Sequence, residues 1–198
     1  AADMKAQDPR FFTRHADGQT PSTLLIGCSD SRVPIENITG VEPGEMFVHR
    51  NIANQVHGAE LSVQSVIAYA VDALGVTQII VAGHTSCGGV KAAMAEPNHG
   101  LVDHWLGSLR MLWLRHRAEV DAAPTHDAGI DLLVRLNVLL QVYELAINPT
   151  VLDAWRQGRE LTLSGMDYDI ESGLLETVIT DVTSRASARD RLRGFDPA

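Results

Sequence analysis

Cysteine is scarce in this chain: Cys28 and Cys87 are the only two among 198 residues, too few for a disulfide framework. On their own they leave three readings open: one disulfide, two buried thiols packed as small hydrophobes, or metal ligands. Positive charge is short as well, with 16 Lys and Arg against 25 Asp and Glu and a net charge of −9. A nucleic-acid binder normally carries a basic face, so nucleic acid is not an expected partner. Long apolar runs are missing. The most apolar stretch, Ile130 to Ile147, is interrupted by Asp131, Arg135, Asn137, Gln141 and Glu144, and reads as a helix packed in protein rather than a membrane span. No cleavable signal opens the sequence, which points to the cytoplasm; Ala1 to Ala6 read as the end of a helical arm, and a lost leader would allow an organelle lumen instead. Repeats, low-complexity tracts and linkers are absent too. Residues 1–198 therefore read as a single domain, with 1–8 the end of an N-terminal arm and 183–198 a charged, weakly patterned tail.

What the chain does have is an alternation of short apolar runs and helical patterns. Ser22 to Gly27, Glu45 to Arg50 and Val76 to Ala82 read as buried strands. Glu60 to Leu74 has helical spacing and Gly75 behind it as a C-cap, and a helix runs from Gly88 to about Ala95. The apolar residues from Val102 to Trp113 form one helical stripe, Ile130 to Ile147 another, and Val151 to Gln157 a shorter helix. Leu161 to Asp167 and Leu174 to Ile179 read as strands joined through Glu171-Ser172-Gly173, a hairpin whose last strand is antiparallel. Strands separated by helices predict an α/β fold, a central and mostly parallel sheet flanked by helices.

The chemistry-bearing residues sit just past these strands. Cys28 follows TLLIG, and His84-Thr85-Ser86-Cys87 follows IIVAG. Ligand sites in open α/β sheets gather beyond the carboxyl ends of strands, so two thiols and an imidazole are expected to meet there. That set suits zinc, and three protein ligands leave a fourth position open, the catalytic pattern. Zinc brings the pKa of a bound water to about 7, so hydroxide is at hand to attack an electrophilic carbon. Thiolate ligands weaken that Lewis acid, and Cys28-Ser29-Asp30-Ser31-Arg32 offers help. A carboxylate two residues from a ligand can orient the water or take its proton, and Arg32 can hold Asp30 ionised through two hydrogen bonds.

CSDSR (28–32) together with GHTSCGG (83–89) resembles the β-class carbonic anhydrases, whose motifs are C-x-D-x-R and H-x-x-C. The likeness extends to PGEMFVHRNIAN (43–54), the helix containing Tyr69, LVDHWL (101–106) and LNVLLQVYEL with Asn137, and is strongest to bacterial members. It implies reversible CO2 hydration, one Zn2+ per subunit held by Cys28, His84 and Cys87, and Asp30-Arg32 as the catalytic dyad, with Asp30 able to become a fourth ligand in a closed state. It also implies Gln19 as a hydrogen-bonding partner of substrate, Phe47, Ile52 and Tyr69 as apolar walls for CO2, and the Gly88 N–H as a contact for the bound anion. The implied sheet has strand order 2-1-3-4 plus an antiparallel fifth strand, in a dimer that can pair into a tetramer. Gly27, Arg50 and Tyr168 match a regulatory bicarbonate site of some members, but Leu25 stands where those members carry Trp. Two other readings compete: a hydrolase of carbonyl sulfide or carbon disulfide on the same fold, and a non-catalytic zinc or thiol-sensing module. A thioredoxin-like redox pair lacks its C-x-x-C.

Overall fold

The computed structural model describes residues 5–6 and 8–195. Most of the arm expected over 1–8 lies outside these residues, although Lys5 and Ala6 are helical. Five strands form one sheet: β1 (Thr23–Cys28), β2 (Met46–Asn51), β3 (Gln78–His84), β4 (Thr162–Asp169) and β5 (Leu174–Val182). Their order is β2-β1-β3-β4-β5, parallel throughout except for the antiparallel β4–β5 pair. This is the order and polarity expected. All six residues of β1 are buried, because a central parallel strand is covered on both faces. The third strand begins two residues later than the apolar run suggested and runs on to His84, which carries a metal-donor candidate into the sheet itself.

The helices are α1 (Phe11–Ala16), α2 (Ile35–Thr39), α3 (Leu61–Ala68), α4 (Gly88–Met94), α5 (Leu101–Trp105), α6 (Gly107–Arg115), α7 (Arg117–Asp121), α8 (His126–Ala146), α9 (Pro149–Arg156) and α10 (Arg185–Arg191). Glu60 caps α3 by accepting from the N–H groups of Ser62 and Val63, and the next six residues, Tyr69–Leu74, widen into a π-helix. Gly75 ends it at φ 68°, a left-handed position that suits glycine. The stripe from Val102 to Trp113 is two helices rather than one, interrupted at Leu106.

The tail is also more ordered than its composition suggested. Ser184 and Ser187 exchange hydrogen bonds in a capping box, and Ala188 and Leu192 bury against the core. α8 crosses the sheet over β3 and β4. A Cβ added at Gly83 would lie 2.8 Å from Val138, and one at Gly165 only 2.5 Å from Val138, so glycine is what lets helix and sheet approach.

Candidate metal centre

Adjacent central strands deliver the donors. Cys28 ends β1, His84 ends β3, and Cys87 precedes α4, so residues 56 and 59 positions apart in sequence meet at one sheet edge. Their donor atoms all lie within 4.8 Å of one another, and all three residues are buried. The two sulfurs are 3.9 Å apart. His84 Nδ1–H donates to the carbonyl of Thr85 (3.0 Å), which leaves the Nε2 lone pair free. Nε2 is buried and has no hydrogen-bond partner among the described residues. An orphaned imidazole nitrogen facing two thiols is poor packing for a structural core and a good fit to a thiophilic cation.

The electrostatics agree with that fit. The hydrogen bond from Cys87, supported by His84 and backbone N–H groups, pulls the Cys28 thiol down to about 4. The same bond, together with burial, pushes Cys87 well above the ordinary thiol range. The pair thus shares one proton and one negative charge, and a dication would displace that proton. For His84, burial acts downward, but the Cys28 thiolate and the Asp30 carboxylate outweigh it and raise the imidazole.

Asp30 is clamped by Arg32. The guanidinium reaches Oδ1 through Nε at 3.0 Å and Oδ2 through Nη2 at 2.7 Å, and the Arg32 N–H adds a third bond at 2.9 Å. Those bonds hold the Asp30 carboxyl far below the usual carboxylate range. Asp30 is turned toward Arg32, with Oδ2 3.8 Å from His84 Nε2. Arg50 fixes the same loop from below, donating to the carbonyls of Cys28 (2.8 Å) and Asp30 (2.6 Å).

Other expected residues are distributed more widely. Gly88 opens α4 directly after Cys87, and a Cβ there would meet nothing within 4 Å. Ile52 packs beside Gly89 and is 38% exposed. Phe47 and Tyr69 meet each other at a ring distance of 5.9 Å, with Tyr69 52% exposed. Gln19 is exposed between α1 and β1, and among the described residues no hydrogen bond joins it to the cluster. Gly27 is buried in β1, while Tyr168 and Leu25 line a small apolar cavity of about 20 Å3, room for one water at most.

Two features were not singled out beforehand. Ala53 and Asn54 adopt φ of 60° and 49°, and the Ala53 carbonyl accepts from Gln55 Nε2 and Asn137 Nδ2. Gln141 extends this buried network, donating to Asn137 and accepting from the Val56 N–H. The signal was present in the sequence, since polar residues four apart interrupt an apolar helix face. The second feature is Asp131, which accepts a hydrogen bond from the Ser86 N–H at 2.9 Å.

Fold and cluster together define an α/β protein with a buried Cys-His-Cys group able to hold a metal ion. A family model described as carbonic anhydrase matches residues 23–175, and the chain belongs to that family, in its β class. It is 40% identical over 180 residues to a carbonic anhydrase of Emericella nidulans, covering 91% of this chain and 79% of the relative. A carbonic anhydrase of Pseudomonas aeruginosa is 39% identical over 175 residues, 85% of this chain and 78% of that one, so the likeness spans fungi and bacteria. Among solved structures, a tetrameric β-carbonic anhydrase of Sordaria macrospora superposes with a TM-score of 0.86 at 38% identity, covering 89% of each chain.

Proposed function

We propose that this chain catalyses the reversible hydration of CO2 to bicarbonate and a proton, with one zinc ion per subunit held by Cys28, His84 and Cys87. The observation that carries the reading is the buried three-donor cluster with its unpartnered His84 Nε2, next to a carboxylate clamped by Arg32. Zinc bound there supplies the Lewis acidity that makes water a nucleophile near neutral pH. Asp30 accepts a hydrogen bond from the attacking water at Oδ2, the oxygen facing His84, and Arg32 keeps that carboxylate ionised and oriented. Phe47, Ile52 and Tyr69 suit an uncharged, apolar substrate, Gln19 supplies a donor to it, and the Gly88 N–H meets the anionic product.

Self-association belongs to the same reading. Ile52, Tyr69 and Leu61 expose large apolar surface on neighbouring elements, and a dimer, with pairing of dimers into a tetramer, would cover it. A reducing compartment such as the cytoplasm keeps Cys28 and Cys87 as thiols available to the metal, and an organelle suits the same reading where its interior is reducing. Among the described residues no helix is long and apolar enough to cross a membrane. Gly27, Arg50 and Tyr168 form at most a weak bicarbonate site, since Arg50 Nε and Nη2 already donate to the backbone carbonyls of Cys28 and Asp30.

The test is zinc content and stopped-flow CO2 hydration on the same purified sample, with carbonyl sulfide as a second substrate. The parent is expected to carry about one zinc per chain and to hydrate CO2; Cys28→Ser, His84→Ala and Cys87→Ser should each lose both metal and activity. A fully active, fully loaded Cys87→Ser protein would sink the assignment.

A further inference from the structure

Only Thr85 and Ser86 separate His84 at the end of β3 from Cys87 at the start of α4. To bring both side chains to one point, the chain turns sharply, and Ser86 takes up the turn at φ 56°. That left-handed conformation is open to glycine and unfavourable for serine. Something outside the loop must therefore hold it. The Ser86 N–H donates to Asp131 Oδ1 at 2.9 Å, and the Ser86 carbonyl accepts from Arg32 Nη2 at 3.4 Å. That same nitrogen donates to Asp30 Oδ2 at 2.7 Å. The residue at the turn is thus gripped on both sides, by a carboxylate from α8 and by the guanidinium that also holds Asp30.

Asp131 is well placed for this task. Val134 and Val138, one and two turns further along α8, are the side chains pressed against Gly83, the residue before His84. The helix that carries the acceptor is therefore seated directly on the strand that carries the donor ligand. Arg135, one turn on, is paired with Glu176 at 3.0 Å, which ties the same helix face to β5.

We infer that Asp131 is a positioning residue for the metal centre. Its carboxylate holds the Ser86 turn, and so sets the approach of His84 to Cys87 and presents the Ser86 carbonyl to Arg32. This rests on the metal reading proposed above.

The experiment measures zinc affinity by competition with a chromophoric chelator, with thermal melts to confirm folding. Asp131→Ala is expected to weaken zinc binding by about 10–100-fold, the usual effect of removing a partner outside the ligand set. Asp131→Asn keeps an acceptor oxygen in place and should bind zinc nearly as the parent does. Ser86→Gly added to Asp131→Ala should restore most of the loss, because glycine holds the turn without the hydrogen bond. A residue that served only general stability would lower the melting temperature of Asp131→Ala, and Ser86→Gly would not recover zinc affinity. If Asp131→Ala does not fold, Asp131→Glu, which moves the acceptor by one methylene, should show the same weakening and the same rescue.

Unchanged affinity in the folded alanine or glutamate variant, an asparagine variant as weak as alanine, or failure of the glycine rescue would each overturn the inference. If the parent itself takes up no zinc, the metal reading fails separately. Amide hydrogen exchange at Ser86 then decides: protection lost in Asp131→Ala upholds the anchor, and equal exchange overturns it.

Discussion

Asp167 shows how far one side chain can set the pH response of this molecule. It lies on β4 beside Gly83, its side chain is 6% exposed, and Oδ1 has no hydrogen-bond partner among the described residues. Burial pushes its carboxyl up to about 6, against the pull of Arg135 at 4.0 Å and with a further push from Asp131 and Glu176. An unfolded Asp titrates near about 3.9. Between those values the folded chain keeps a proton that the unfolded chain has released, so stability falls as pH rises from about 4 to 6 and stays lower above. Asp167→Asn removes that titration. It is expected to be more stable than the parent at pH 8, by on the order of 1 kcal/mol, and close to it at pH 4. Urea denaturation at the two pH values checks this, and an equal offset at both would refute it. Residues of this kind were not legible in the sequence. The three metal-donor candidates and the Asp30-Arg32 pair stood out because their chemistry is rare and their spacing informative. Asp131 and Asp167 are ordinary acids until the fold brings them beneath the loop.

At the level of elements, the apolar runs identified every strand and most helices. β1 and β3, covered on both faces, leave an unbroken hydrophobic signature, whereas β2, expected to be buried, is an edge strand and only half-buried. α1, α2 and α7, each six residues or fewer, were not read from the sequence, and two other departures have physical reasons. Leu106 is apolar and fully buried, so the stripe continues through it while the backbone bends. α10 buries only Ala188 and is fixed by serine capping, a signal carried by two small polar residues. The β1–β2 ladder also bears on inhibition. Leu25 pairs with Val48 on one side and Ile80 on the other, and is 2% exposed. With the adjoining cavity at about 20 Å3 and Arg50 bound to backbone carbonyls, there is little space for a planar anion. Added bicarbonate is therefore expected to inhibit weakly and without cooperativity in initial-rate assays at fixed pH and ionic strength. Leu25→Trp should overpack this layer and cost about 1–3 kcal/mol rather than create an inhibitory site. Strong cooperative inhibition of the parent would contradict that view.

For the molecule as a whole, the surface that one chain leaves exposed is as informative as its core. Leu61 at the start of α3, Tyr69 eight residues later and Ile52 after β2 are large apolar exposures, and the last two are also walls proposed for CO2. Sedimentation velocity is expected to find at least a dimer at assay concentration. Tyr69→Asp should shift the distribution toward monomer and lower kcat/KM in parallel. A parent that is monomeric and fully active would overturn the proposed dimer requirement. One further consequence follows from where the parts of the site lie along the chain. Every proposed metal donor is present once residue 87 has been made, but Asp131 and the strand that lines the other side of His84 come 44 and more residues later. Synthesis proceeds from the N-terminus, so the growing chain exposes two thiols and an imidazole well before it can enclose them. Metal that arrives early meets a floppy chelate, and metal that arrives late must enter a finished site. The order of translation thus leaves the proposed donor set open to an ion until α8 docks.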